Sequence, residues 1–288
     1  MFLGNKTKEA FNFIATKFFL FFIFGCWLAL SQAPFSLSYI ALLALPSMAF
    51  FWVRFSDIPL ESGLAGGIFG LGYFSITMLW IMEPFFVGDK KYLPWLAPFA
   101  LLFISIYLSL FWSGAFYLAT FFGGNNAVKK VLNLALFLTL AELGRSQLFG
   151  GFPWGLVSHA LIDTPFAQLT SVFGPYFLVF IIYFSYFSMI ISKKMFIYSL
   201  AFILSLYFIG SSISSSRSPL VEKSHNIKLI QPNIKQEDKW NEKRFEEFYN
   251  RYVTLSTKMP RGDLVILPET AMATDSEKMH KLSKKLSH

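Results

Sequence analysis

The chain has 288 residues, of which 55% are hydrophobic, 19% aromatic and only 15% charged, more Phe and Leu than a water-soluble domain can hide. Its formal charge of +8 comes from short basic pairs between apolar runs and from a mixed-sign tail, without the single basic stripe that nucleic acid requires. The one cysteine, Cys26, lies inside the first apolar run, which excludes an internal disulfide and any cysteine-based metal site.

A transmembrane helix needs about 20 mostly apolar residues, and runs bounded by charge, Pro or Gly give about seven candidates. They cover residues 11–30, 35–53, 62–82, 95–122, 128–147, 166–191 and 195–211. The first run, with Lys6, Lys8 and Lys17 ahead of a Phe-rich core and small residues near Ser31 and Ala33, also fits a cleaved signal peptide. An uncleaved first helix fits it too, and further spans follow.

Alternating the spans from a cytoplasmic N-terminus puts Lys6, Lys8, Arg54, Lys129, Lys130, Lys193 and Lys194 inside, and leaves only Lys90, Lys91 and Arg145 outside. This asymmetry favours the N-in orientation, and an odd number of spans then places the C-terminal tail outside, which in a bacterium is the periplasm.

Within the spans, Gly63 and Gly67, with Gly66 and Gly70, have the small-xxx-small spacing that lets helices approach closely. Glu142 and Arg145 stand i, i+3 at the end of the fifth candidate, where such a pair can satisfy itself near the interface; we read it as structural. The connection after it carries Gly151-Phe152-Pro153-Trp154-Gly155. An aromatic set between Pro and Gly at that depth lines a lipid-binding mouth or is an ordinary aromatic-belt residue, and local sequence leaves both open. His159 and Asp163 are four apart with no third ligand or nucleophile beside them, so neither a metal site nor a triad is supported.

Composition changes after the Ser-rich stretch 211–216. From Arg217 onward there are 14 basic and 10 acidic residues, more than half of the chain's charged side chains, which marks a boundary between a domain at 1–216 and another at 217–288. The tail reads as strand, helix, strand. Residues 227–230 form a short apolar strand closed by Gln231-Pro232-Asn233. Phe245, Phe248, Tyr249, Tyr252 and Leu255 repeat at helical spacing with charges between them. Residues 263–267 are a second strand, nearly all apolar and expected to be buried on both faces, and Pro268 ends it. Glu269 follows at the carboxyl end of that strand, where open α/β sheets assemble their sites. A carboxylate there is a candidate general base, and a solvated glutamate capping the next helix fits the spacing equally well.

These residues together resemble the bacterial apolipoprotein N-acyltransferases. Ala33-Pro34-Phe35 is similar to the small-Pro-aromatic turn that follows the family's first span. Glu142-x-x-Arg145, Gly151-Phe152-Pro153-Trp154 and Ile162-Asp163-x-Pro165 resemble its membrane-domain signature. Gln231-Pro232-Asn233-Ile234 with Lys239-Trp240 resembles the first strand and loop of its nitrilase-like head, and Leu264-Val265-Ile266-Leu267-Pro268-Glu269-Thr270-Ala271 the strand that delivers its catalytic glutamate.

The resemblance implies an α-helical polytopic membrane domain followed by the start of an α/β nitrilase-like (CN hydrolase) domain, in the bacterial inner membrane with the C-terminal segment periplasmic. It implies a Glu-Lys-Cys triad that takes an acyl chain from a phospholipid, holds it as a cysteine thioester and passes it to the N-terminal amine of a diacylglyceryl apolipoprotein. Glu269 then matches the general base, and Trp154 and Trp240 match aromatic positions around the lipid entrance and a mobile lid. No cofactor or metal is implied.

The family's lysine and its Cys-Tyr-Glu motif lie downstream of the glutamate, and the sequence ends at His288 before either. Lys278, Lys281, Lys284 and Lys285 come too early to be the triad lysine, and Cys26 is in the first span. The chain alone is therefore expected not to form the acyl-enzyme, and a second chain carrying the missing Lys and Cys is one expected partner. The alternatives are one half of a split enzyme and a non-catalytic membrane protein that binds lipid or lipoprotein. A small transporter is disfavoured by the absence of an inverted repeat and by the α/β tail.

Overall fold

The computed structural model describes residues 2–55, 57–86, 93–124, 126–216, 227–235, 238, 242–257, 264–268, 280 and 284, with side chains from residue 15 onward except residue 242. Each apolar run of the sequence is helical. In order they are α1 (Phe2–Ala29), α2 (Ala41–Phe55), α3 (Pro59–Thr77), α4 (Leu93–Gly123), α5 (Ala127–Arg145), a single turn α6 (Thr170–Phe173), α7 (Pro175–Ser188) and α8 (Lys193–Ser215).

The helix starts follow from local chemistry. Pro59 and Pro175 sit in the first turns of α3 and α7, where a missing N–H costs nothing. The Asn126 side chain accepts from the N–H groups of Val128 (2.8 Å) and Lys129 (3.2 Å), and Ser192 accepts from Met195 at 3.2 Å.

By length and composition, three described helical segments are suited to cross a bilayer: Ser38–Phe55, Leu93–Gly123 and Lys193–Ser215. Pro59–Thr77 joins them if it is taken with Leu79–Phe86, from which it is bent by 45°. Ala15–Ala29 and Pro175–Ser188 are shorter apolar helices. The expected unbroken run over 166–191 is interrupted. A 3-10 turn at Pro165–Leu169 and α6 precede Gly174, whose φ of 77° no helix accommodates, and Pro175 begins the helix afresh. The fifth run is helical, but Lys129, Lys130, Glu142 and Arg145 give it charge at both ends.

The chain divides into two units, Met1–Phe85 with Tyr92–Arg217, and Phe86–Lys91 with Ser218–His288. In the first, α3 packs between α1 and α4, α5 between α4 and α7, and α8 against α7 and Pro165–Leu169. The glycines of α3 serve that packing, as their spacing predicts. A Cβ at Gly66 would overlap the Phe116 ring, and one at Gly70 would lie 2.9 Å from Ser109 Cβ.

Polarity is distributed opposite to that of a soluble protein. Ser62, Ser105, Ser109, Thr120, Lys130, Glu142 and Arg145 are buried, while Phe99, Phe103, Leu110 and Phe121 of α4 and Ile197, Leu204 and Phe208 of α8 are exposed. Exposed apolar stripes on helices that turn polar groups inward suit a hydrocarbon solvent. This is the arrangement of a membrane protein.

Polar contacts tie the interhelical connections together at two separate ends. At one, Lys17 Nζ reaches the Phe55 carbonyl and Glu61 (3.1 Å), and Lys130 Nζ reaches Asp57 (2.6 Å). Nearby, Trp52 Nε1 and Thr120 Oγ1 each donate to Ser62 Oγ at 2.7 Å. At the other, the segments after α1, α3 and α5 meet.

The second unit is a parallel βαβ element. Strands β1 (Ile227–Leu229) and β2 (Leu264–Ile266) pair in the register Ile227 to Leu264, Lys228 to Val265 and Leu229 to Ile266, and α9 (Phe245–Thr257) connects them. Phe248 and Tyr252, on the predicted apolar face of α9, are buried; Tyr252 packs with Ile230, and Tyr249, Val265 and Leu267 lie against that pair. The expectation that the second strand is buried on both faces is not met: Leu264 is 52% and Ile266 43% exposed. Among the described residues one helix covers one face of a two-stranded sheet, so alternate side chains remain outside.

Candidate functional site

The site grows from the last turn of α5. Glu142 and Arg145 stand one turn apart and are both fully buried, and neither charge meets water. Burying an ion pair in apolar surroundings is favourable only if further hydrogen bonds complete it. Trp112 Nε1 donates to Glu142 Oε1 at 2.7 Å, while the other carboxylate oxygen accepts from Arg145 Nη2. The guanidinium also lies over the Phe74 ring, 5.3 Å from its centroid. Arg145 Nε and the buried Tyr183 hydroxyl have no hydrogen-bond partner among the described residues.

The other end of the guanidinium holds the connection that follows. Arg145 Nη1 donates to the Phe152 carbonyl at 2.7 Å and to the Trp154 carbonyl at 2.6 Å. In return the Phe152 N–H donates to the Arg145 carbonyl at 2.9 Å. The chain doubles back through Gly150 and Gly151, with φ of 88° and 78°. At Gly151 a Cβ would overlap the Ser146 carbonyl, so the turn admits no side chain there.

Neutral donors hold the next two carbonyls: Tyr73 Oη donates to Gly155 at 3.0 Å and Gln32 Nε2 to Leu156 at 3.2 Å. Farther along, Ser38 Oγ donates to the Ala160 carbonyl at 2.5 Å. The carbonyls of Phe152, Trp154, Gly155 and Leu156 thus turn inward, and the Trp154 indole stands out, 57% exposed. Its ring meets Trp80 edge to face, 6.1 Å between centroids and 71° between planes. Trp80, in Leu79–Phe86, is 50% exposed, so two indoles form an aromatic ledge at this end of the helices.

Of the site residues predicted from sequence, Trp154 stands in this assembly. Glu269 and Trp240 lie outside the described residues, as do Lys239 and the start of the second predicted strand. Cys26 is in α1, where its thiol faces the Gly72 carbonyl of α3 at 3.6 Å. His159 is half-buried in the 3-10 turn Val157–Leu161, and burial holds its imidazole below the ordinary histidine value, with Glu142 and Arg145 opposing one another as smaller influences. Asp163 is exposed. Among the described residues no three His, Cys, Asp or Glu side chains gather as metal ligands.

Sequence reasoning missed Gln32, Tyr73, Trp80 and Trp112. The two aromatics of α3 and α4 look like any others in an aromatic-rich bilayer segment, and only their hydrogen bonds distinguish them. Gln32 carried a usable signal, a lone amide immediately before the Ala33-Pro34-Phe35 turn.

Comparison with known proteins bears on the same segment. Residues 9–188 match the family described as Apolipoprotein N-acyltransferase N-terminal domain. The chain is 31% identical to the apolipoprotein N-acyltransferase of Bradyrhizobium diazoefficiens, over 86% of this chain and 50% of that protein. It is 32% identical to that of Aquifex aeolicus over 70% of this chain and 46% of the relative, and 29% identical to that of Haemophilus ducreyi over 93% and 53%. The chain spans about half the length of the curated relatives it matches.

Proposed function

Because the chain belongs to the apolipoprotein N-acyltransferase family, we propose that it serves the transfer of an acyl chain from a membrane phospholipid to the N-terminal amine of a diacylglyceryl-cysteine lipoprotein. The observation that carries this reading is the family match over 9–188, a stretch that contains the whole Arg145-anchored loop.

In such a transfer a thiolate attacks the phospholipid ester, the lysophospholipid leaves, and the acyl group rests on sulfur until the lipoprotein amine displaces it. Glu269 is the general base that takes the thiol proton, and a lysine stabilises the oxyanion. Among these 288 residues the only thiol is Cys26, committed to the contact between α1 and α3. Cys26 is therefore not the reacting thiolate of this reading.

The arrangement we propose has seven spans within residues 1–216, in the bacterial inner membrane with the N-terminus cytoplasmic, and a nitrilase-like head beginning at 217 on the periplasmic side. Its support is the separation of the connections into two ends, one of them carrying Lys17 and Lys130. Trp154 and Trp240 are the lipid-binding aromatics. Support for Trp154 is the combination of an exposed indole with a backbone fixed from within.

Nanodiscs holding a radiolabelled phosphatidylethanolamine and a diacylglyceryl lipopeptide test this. The 288-residue chain is expected to form no hydroxylamine-sensitive adduct, and a form supplying the family's lysine and cysteine is expected to acylate the lipopeptide. Absence of transfer by that form, or transfer indifferent to Glu269→Gln, sinks the reading. An adduct on the 288-residue chain would instead make Cys26 the nucleophile. The position of Cys26 also favours a second reading, a non-catalytic lipid- or lipoprotein-binding protein, and the transfer assay separates the two.

A further inference from the structure

Resting on the reading of Trp154 as a lipid-binding residue, we propose that Arg145 is its positioning residue: the buried guanidinium, held by Glu142, sets where the indole stands by gripping the backbone on which it is carried.

A pair that only satisfied itself near an interface would keep its charges in water, yet Glu142 and Arg145 are both 0% exposed. Nor is a cation needed merely to satisfy carbonyls in this loop, because Tyr73 and Gln32, neutral donors, serve Gly155 and Leu156. What the guanidinium adds is a rigid planar fork with donors on two sides. One side meets Glu142, and the other takes the carbonyls of Phe152 and Trp154 on a single nitrogen.

Between those two carbonyls lies Pro153, which has no N–H to offer any acceptor, so the segment is held by its oxygens. With both carbonyls drawn inward, the Trp154 side chain is directed out toward Trp80. The line of contacts is continuous from Trp112 of α4 through Glu142 and Arg145 of α5 to the backbone of Trp154. Lysine in place of Arg145 offers a point charge that cannot present donors in two fixed directions.

The test is a double-mutant cycle on the full chain in nanodiscs, read as covalent capture of a photoreactive phosphatidylethanolamine with the crosslinker in its acyl chain. Trp154→Ala is expected to lower capture about fivefold to tenfold, the size typical of an aromatic anchor. Arg145→Lys is expected to lower it by a similar factor, and the double variant to capture no less than Trp154→Ala alone, because the arginine acts through the indole. Thermal stability falls with Arg145→Lys in either background, so only coupling in capture reports positioning. Losses that multiply in the double variant overturn the proposal while leaving Trp154 as a lipid contact. A Trp154→Ala variant with undiminished capture removes the lipid reading itself, and the proposal with it. If Arg145→Lys does not fold, Glu142→Gln, which keeps the shape of the pair and removes the carboxylate charge, enters the same cycle with the same two outcomes.

Discussion

Trp112 and Glu142 are joined by a 2.7 Å hydrogen bond from the indole N–H to one carboxylate oxygen, and both side chains are fully buried. The bond leaves the second oxygen to Arg145 and makes the carboxylate the hinge between α4 and α5. Removing it strands a guanidinium in an apolar interior, so Glu142→Leu is expected to lower stability by about 3–5 kcal/mol. Trp112→Phe removes one hydrogen bond to a charged acceptor and should cost about 1.5–3 kcal/mol. Denaturant or thermal unfolding in detergent measures both. A Glu142→Leu variant as stable as the parent would show that the pair is dispensable to the fold.

Close approach of α3 and α4 separates two neighbouring glycines. A methyl at Gly66 runs into the Phe116 ring, whereas at Gly67 it meets Ser113 Cβ at 3.4 Å, an ordinary van der Waals distance. Gly66→Ala should therefore destabilise by about 1–3 kcal/mol through overpacking. Gly67→Ala should be neutral or stabilising by up to about 1 kcal/mol, since alanine loses less backbone entropy in a helix. Equal melting temperatures for the two variants would contradict this packing.

The helices were legible in the sequence because each is an apolar run closed by charge, Pro or Gly, and the α9 face was legible from the spacing of Phe248 and Tyr252. Two expectations failed for physical reasons. Gly174 and Pro175 together restart a helix that hydrophobicity alone cannot see is broken. In β2 an unbroken apolar run does not reveal how many layers cover the strand, so Leu264 and Ile266 were expected inside. At the site, Trp154 and the Glu142–Arg145 pair were each visible, but their connection was not. It runs through backbone carbonyls, which carry no side-chain signature, and through Tyr73, Trp112 and Gln32, which lie far away in sequence.

Alternation of the connections between two ends makes an accessibility prediction. Lys129, exposed in the first turns of α5, and Asp163, exposed beyond α5, belong to opposite ends of the helices. In a Cys26→Ser background, Asp163→Cys in intact spheroplasts should react with a membrane-impermeant maleimide, and Lys129→Cys only after permeabilisation. Labelling of Lys129→Cys alone would invert the orientation, and labelling of both before permeabilisation would break the alternation.

The pH dependence of folding should report on His159. Burial, the main influence, holds its folded-state pKa below the ordinary 6.5, so the unfolded chain takes up a proton at a pH where the folded one does not. The unfolded state then binds more protons, and the contribution of the neutral imidazole is present above the ordinary histidine range and lost as pH falls below it. The melting temperature of the detergent-solubilised protein should accordingly drop more steeply between about pH 7.5 and about pH 5 than that of His159→Gln, whose amide does not titrate. The difference should vanish toward the alkaline end, where the imidazole is neutral in both states. Parallel curves for the two proteins would mean that the His159 ring meets solvent as freely in the folded chain as in the unfolded one.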